Sequence, residues 1–202
     1  MKTSSRITII VLGRSGSGKG TQAQFILRRL KKGSVDHLET GRFLRQILKK
    51  HKNPTTDLAK KTMAEGRLFP DWFAAYCLLK EIIEKGTADK HWVFDGAPRS
   101  VWQAELIDNL ASWHERPLPI AVLVDVNEKE ATKRLLLRAR TDDHRRSIKN
   151  RMSFFAQNVV PTINYYKSKE RLLKINGEQP VEEVRRDINK ALKKYLKKNW
   201  PL

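Results

Sequence analysis

Short apolar, β-branched runs alternate along the chain with segments whose apolar residues recur at helical spacing. Ile7 to Leu12 is the first run; a glycine cluster follows, then Ala23, Ile26, Leu27 and Leu30 on one helical face. Trp92 to Phe94 and Ile120 to Val126 predict two more strands, the second almost continuously apolar, as a strand covered on both faces should be. Leu172 to Ile175 predicts a fourth, ending at the turn Asn176, Gly177, and Val35 to Leu38 a fifth. Between them, Trp72 to Glu84 is apolar on most sides and predicts a largely buried helix. Ile148, Met152, Phe155, Val159 and Ile163 mark one face of a long helix that Pro161 should bend. The last helix repeats the pattern with Val184, Ile188, Ala191 or Leu192 and Tyr195, its other face rich in lysine. Alternating strand and helix predicts right-handed βαβ units and a parallel sheet covered on both faces. No internal repeat or flexible linker interrupts the pattern, so one compact domain with insertions is expected.

Composition narrows the class. A chain of 202 residues with 40% hydrophobic, 31% charged and 8% aromatic residues excludes a disordered, collagenous or low-complexity protein and can bury a real core. Its one cysteine, Cys77, rules out an intramolecular disulfide and a zinc site of paired CxxC type, and within an apolar helix it reads as core packing. Ile7 to Leu12 is too short to span a membrane, and no signal-peptide cleavage pattern accompanies it, so a soluble, cytoplasmic protein is expected. The net charge is +19, and residues 133–202 hold 19 of the 41 basic but only 7 of the 22 acidic residues. Such a field favours nucleic acid, a membrane surface or phosphorylated small molecules alike. It gives the sign of the partner and no more.

The chemistry begins at Gly13-Arg14-Ser15-Gly16-Ser17-Gly18-Lys19-Gly20-Thr21, directly after the first strand and opening the first helix. At its heart is G-x-x-x-x-G-K. The glycines let backbone N–H groups fold around phosphates, the helix N-terminus adds its positive dipole end, and the lysine reaches the β and γ phosphates. Gly20 stands where a Ser or Thr usually follows the lysine, and the hydroxyl comes one place later at Thr21. This loop implies nucleotide phosphate binding; the reaction must come from other residues.

Gly16 to Gln24, Gly-Ser-Gly-Lys-Gly-Thr-Gln-Ala-Gln, resembles the phosphate loop of adenylate kinases, and four further segments agree in the family's order. They are Thr40-Gly41-Arg42-Phe43-Leu44-Arg45, Gly66-Arg67-Leu68-Phe69-Pro70-Asp71, Asp95-Gly96-Ala97-Pro98-Arg99 with Gln103, and Arg134, Arg138, Arg140-Thr141-Asp142-Asp143 with Arg151. The resemblance implies a P-loop kinase fold: a five-stranded parallel α/β sheet, a small helical monophosphate-binding insertion at about 39–70, and a very short lid at about 139–150. It implies reversible phosphoryl transfer from ATP to AMP, with magnesium and no structural zinc, by a monomer that uses no membrane. By the resemblance, Gly16, Ser17, Gly18, Lys19, Gly20 and Thr21 hold the ATP phosphates, Arg134 stacks on the ATP base, and Arg138 and Gln179 belong to the same site. Thr40, Gly41, Arg45, Arg67, Leu68, Phe69, Gly96, Ala97, Pro98, Arg99 and Gln103 border AMP. Arg45 and Arg99 hold its phosphate, and Arg138, Arg140 and Arg151 close on the transferring group with Asp142 and Asp143 in the lid. Asp95 ends a strand and is the natural carboxylate to orient magnesium through its water shell.

The residues' own chemistry points the same way. Phosphoryl transfer spreads negative charge over the equatorial oxygens of the moving group, and Lys19, Arg45, Arg99, Arg138, Arg140 and Arg151 would supply preorganised cations around it. Asp142 and Asp143 have a plainer alternative, capping a helix that begins near His144. The chain departs from the family's pattern at Ser15 for proline, Ala97 for phenylalanine and Arg42 for an acidic residue, and only Ala139 separates Arg138 from Arg140. By the resemblance, Thr40 and Gln103 face the adenine of AMP, where UMP/CMP kinases typically carry alanine and asparagine, which favours AMP, since an unpaired buried partner rejects the wrong base. A different class, a nucleic-acid-binding or regulatory protein on a retained kinase fold, would rest on Lys190, Lys193, Lys194, Lys197 and Lys198, where no aromatic stacking platform is interleaved.

Overall fold

In a computed structural model, which describes residues 6–31, 34–67, 69–85, 89–138, 140 and 143–200, the apolar runs form one five-stranded sheet. Its strands are β1 (Thr8–Leu12), β2 (Val35–Glu39), β3 (His91–Asp95), β4 (Ile120–Asp125) and β5 (Leu172–Asn176), in the order β2-β3-β1-β4-β5, and neighbouring strands are parallel. β1, β3 and β4 lie inside the sheet and are covered on both faces, which is why they read as unbroken apolar runs. β2 and β5 are edges and admit Asp36, His37 and Lys174.

Adjacent strand residues feed opposite cores. Ile9, Val11, Val93, Val122 and Val124 pack on one face against Ile26 of α1 (Lys19–Arg29) and Val184, Ile188 and Leu192 of α9 (Val181–Leu196). Ile10, Leu12, Phe94, Ala121 and Leu123 pack on the other against Leu78 and Ile82 of α4 (Asp71–Lys85), Ile107 of α5 (Val101–Trp113) and Tyr166 of α8 (Val160–Ser168). Two further pairs of helices stand over the carboxyl ends of the strands. α2 (Thr40–Lys50) and α3 (Pro54–Ala64) share an apolar cluster with α4 through Phe43, Leu44, Leu48, Ala59, Phe73 and Cys77. α3 starts at a capping box in which the Asn53 side chain accepts from the Thr56 N–H and the Thr56 hydroxyl from the Asn53 N–H. α6 (Glu128–Arg138) and α7 (Arg145–Phe154) meet through Ala131, Leu135, Ile148 and Met152. No helix among the described residues is long and apolar enough to cross a membrane.

Three readings of pattern need correction. α4 is not buried all round: Trp72 and Ile83 are 62% and 79% exposed. Its apolar sides serve both the sheet and the α2–α3 cluster, and the third side faces solvent; Cys77 is core, as expected. Tyr195 points outward, while Leu196 packs on the core and Trp200 closes it. The long helix answers Pro161 with a widened π-helical turn over Phe155–Val159 instead of a simple bend. Proline lacks the N–H that a regular helix would pair with residue 157, and its ring crowds that carbonyl, so the turn opens just before it. Past this turn the buried positions are Thr162 and Tyr166, with Ile163 only partly covered.

Candidate active site

The loop between β1 and α1 is shaped by glycines the backbone requires. At Gly16, φ is +87°, and a Cβ would run into the Ala131 carbonyl oxygen of α6. Gly18, also left-handed, is the N-cap of α1. Arg14 ties the loop to its surroundings: its Nη1 donates to the Val126 carbonyl at 2.9 Å, and its guanidinium lies over the Phe155 ring. Lys19 Nζ donates back to the Arg14 carbonyl at 3.3 Å. Burial lowers the Lys19 pKa to about 8; Asp95 opposes that shift, and Arg99, Arg138 and Arg151 add to it. Asp95, at the end of β3, is raised, because its burial outweighs the attraction of Lys19. A Cβ at Gly20 would stand 3.4 Å from Asp95 Oδ2, so glycine there leaves the carboxylate uncrowded. The Ser17 hydroxyl is buried without a hydrogen-bond partner among the described residues, and Thr21 is exposed.

Beside this loop opens a cavity of about 290 Å³ whose wall carries seven cationic side chains and two carboxylates. Lys19 comes from the start of α1, Asp95 from the end of β3 and Arg99 from the segment that follows it, Arg45, Arg67 and Glu39 from the α2–α3 side, and Arg138, Arg140 and Arg151 from α6, α7 and the segment between them. All six cations expected at the reaction centre therefore line one space. Gly20, Gly41, Leu44, Gly66, Phe69 and Gly96 also line it from the sequence-expected segments, and Glu39, Met63 and Phe154 were not foreseen. Arg42, by contrast, is turned toward the His37 carbonyl and the buried Glu81.

Arg99 is fixed at both ends. Its Nε donates to the Gly96 carbonyl at 2.7 Å, and its backbone N–H donates to Gln103 Oε1 at 2.9 Å. Burial lowers its pKa, against the pull of Asp95. The other end of the Gln103 amide donates to Asp71 Oδ1 at 2.6 Å. Gln103 shares a small apolar niche with Thr40, Gly41, Leu44, Phe69 and Phe73, opening beside Arg99, and the Thr40 hydroxyl is buried there without a hydrogen-bond partner among the described residues. Ala97 is buried, and Pro98 lines a small adjoining cavity with Lys19, Arg99 and Arg151.

Asp143 gathers the arginines of the third wall. Its Oδ2 accepts from Arg138 Nε at 2.8 Å and from the Arg140 N–H at 3.3 Å; its Oδ1 accepts from Arg138 Nη2 and Arg151 Nη1, both at 2.8 Å. Burial alone would raise its pKa, but these bonds and charges outweigh it and hold the carboxyl below its ordinary value. Asp143 is thus no cap of α7; His144 is, its ring accepting from the Ser147 N–H. His144 Nε2 also meets the Ala64 carbonyl at 3.0 Å, and Asn150 Nδ2 donates to the Glu65 carbonyl at 2.7 Å. Arg134 and Gln179 lie apart from the cavity. Arg134 bonds Glu130 and the Gly177 carbonyl, and Gln179 bonds the Asn176 carbonyl and Asp187, so both stand by the turn between β5 and α9. Leu68 and Asp142 lie outside the described residues.

Comparison with known proteins agrees with this geometry. The family model for adenylate kinase matches residues 11–171. The chain is 34% identical over 184 residues to adenylate kinase 1 of Nostoc sp., covering 91% of this chain and 97% of that protein. It is 35% identical over 187 residues to the adenylate kinase of Prochlorococcus marinus, with 91% and 97% covered, and 32% identical over 199 residues to that of Trichodesmium erythraeum, with 93% and 98% covered. A glycine loop on β1, a cation-lined cavity at the strand ends and these relatives along nearly the whole chain lead to one conclusion: the chain belongs to the adenylate kinase family.

Proposed function

We propose that the chain transfers the γ-phosphoryl group of ATP to AMP, reversibly, giving two ADP. The observation that carries this reading is the single cavity beside Lys19 into which Arg45, Arg99, Arg138, Arg140 and Arg151 converge from three walls. A phosphate oxygen of AMP attacks the γ phosphorus as the bond to the β–γ bridging oxygen breaks, so no protein nucleophile is needed. Lys19 and the loop N–H groups hold the donor phosphates, Arg45 and Arg99 hold the acceptor phosphate, and Arg138, Arg140 and Arg151 face the charge that develops between them. The Asp143 and Gly96 contacts support the preorganisation of Arg99, Arg138 and Arg151, whose guanidinium groups they hold before substrate arrives.

Asp95 fits a hydrated magnesium ion by the chemistry of its hard carboxylate oxygens on the cavity wall beside Lys19. The metal, when bound with ATP, neutralises phosphate charge; Asp95 orients its water shell. Arg134 and Gln179 form the donor-base side, and Thr40 with Gln103 the acceptor-base niche, which favours AMP over pyrimidine monophosphates. The site is assembled within one chain, which supports a monomer, and the lone buried Cys77 suits the cytoplasm. A coupled assay with Mg-ATP and a panel of nucleoside monophosphates tests the reading: ADP should form with AMP foremost. Folded protein at high concentration that forms no ADP would overturn it.

A further inference from the structure

Among the cations of the cavity, Arg45 is held by a carboxylate that itself faces the cavity. Glu39 is the N-cap of α2, yet its side chain makes no capping bond to the helix. It reaches instead across the first turn, where Oε1 accepts from Arg45 Nη2 at 3.1 Å. The guanidinium is thereby folded over that turn, its Nη1 only 3.4 Å from where a Cβ of Gly41 would stand. The start of a helix has unpaired N–H groups and a positive end, so this turn with Arg45 is a ready cradle for a phosphate. The protein's own anion lies across it.

The pair differs from Asp143 with Arg151. Asp143 is wholly shielded, whereas Glu39 and Arg45 side chains are 29% and 55% exposed on the cavity wall. A solvent-accessible, singly bonded ion pair is weak and exchangeable; a phosphate can take the guanidinium fork in two places and displaces it. The displaced carboxylate then stays beside the acceptor phosphate as a like charge. Its field already reaches the end of the sheet, where it acts on both Asp95 and His37.

We propose that Glu39 is an internal competitor for the acceptor phosphate: it occupies Arg45 in the empty site and weakens monophosphate binding, so that the acceptor is held loosely while the donor is unaffected. This rests on reading the cavity as the acceptor site. Glu39 acts through Arg45, as a positioning residue, and touches no reacting atom.

The test compares wild type with Glu39→Gln and, as a second variant of different size, Glu39→Ser. The Kd for AMP is measured by calorimetry without ATP, and KM and kcat in steady state. Both variants should lower the Kd and KM for AMP by about 1.5- to 5-fold, the range of a partly screened ion pair, with a smaller change in kcat and in the KM for ATP. In an Arg45→Ala background the gain from Glu39→Gln should shrink. Adenosine, used as a competitive probe that lacks the phosphate, should bind equally to wild type and variant. An unchanged or weaker AMP affinity, an equal gain for ATP, or a loss of adenosine affinity that marks Glu39 as a ribose ligand would each overturn the proposal. If the variants tighten AMP while no ADP forms with any nucleotide, the phosphotransferase reading fails and the role of Glu39 stands.

Discussion

Asp143 Oδ1 and Arg151 Nη1 meet at 2.8 Å in a place where the Asp143 side chain has 0% exposure, and the same oxygen accepts from Arg138. Two arginines of the cavity wall therefore depend on one carboxylate. Asp143→Asn should lower turnover by orders of magnitude and, by breaking a buried charge network, cost about 3–5 kcal/mol of stability. The sign of the pH dependence follows from the lowered pKa. The stabilisation is present above the ordinary value of 3.8 and is lost as pH falls through the folded-state value below it. Melting curves of wild type and variant should differ at neutral pH and converge in strong acid; parallel curves throughout would refute the account.

If Lys19 holds the donor phosphates as proposed, it must carry its proton there, and burial brings its pKa to about 8. The kcat/KM for ATP should be full below that pH and fall as pH rises through it. The folded-state value lies below the ordinary 10.5, so the fold disfavours the charged lysine. The contribution of Lys19 to the stability of the empty protein is least favourable below about pH 8 and improves as pH rises from there toward 10.5. Lys19→Met should then abolish turnover by about 10²-fold or more while melting no lower than wild type at pH 7. A melting temperature well below wild type would show that the lysine stabilises the empty loop.

Arg140 adds its guanidinium to the cavity and its N–H to Asp143, and it is the cation of the short connecting segment. A bisubstrate analogue that joins two adenosines through five phosphates should bind tightly to wild type, raise its melting temperature by mass action, and bind much more weakly to Arg140→Ala. Equal affinity in the variant would remove Arg140 from the site.

Gly66 has a φ of +65°, and a Cβ there would collide with the Ser147 hydroxyl and crowd the Ser147 backbone. Gly66→Ala should cost about 1–3 kcal/mol for the strained backbone alone, with a raised KM for AMP as the end of α3 is pushed from α7. Calorimetric melting and acceptor kinetics report the two effects separately. An alanine variant indistinguishable from wild type in both would place the contact outside function.

The sheet and its cation-lined cavity were legible because their signals are local. β1, β3 and β4 announce themselves by unbroken apolar runs, and Gly13 to Thr21 carries its loop in consecutive residues. The partners of those cations were not legible. Asp143 sits five residues from Arg138 and eight from Arg151, a spacing that belongs to no single helix face, and it read equally well as a cap. Gln103 was placed at the base niche, but its hydrogen bonds to Arg99 and Asp71 span a turn and a helix start that periodicity does not align. Glu39 gave a readable sign, an acidic residue directly before Thr40-Gly41, that its neighbours' phosphate-binding pattern concealed. Tyr195 failed for a third reason: in the last turn of α9 the core side is taken by Leu196, four residues after Leu192, while the position three residues on faces out; past the π turn the helical phase shifts and Ile163 packs on the core only in part.

One imidazole joins two walls of the cleft, and its two contacts fix its tautomer. His144 Nδ1 takes the Ser147 N–H at 3.3 Å and so must present a lone pair; Nε2, 3.0 Å from the Ala64 carbonyl, must carry the hydrogen. One ring tautomer satisfies both, so this link between the start of α7 and the end of α3, beside the Asn150–Glu65 bond, depends on one proton's location. Asparagine can accept the Ser147 N–H as a cap but is too short to cross to Ala64. His144→Asn should therefore keep α7 and its thermal stability nearly intact while letting the α3 side open more often, and stopped-flow release of AMP should quicken without any change in the groups that meet the phosphate. An unaltered release rate would mean that the crossing bond does not govern residence time.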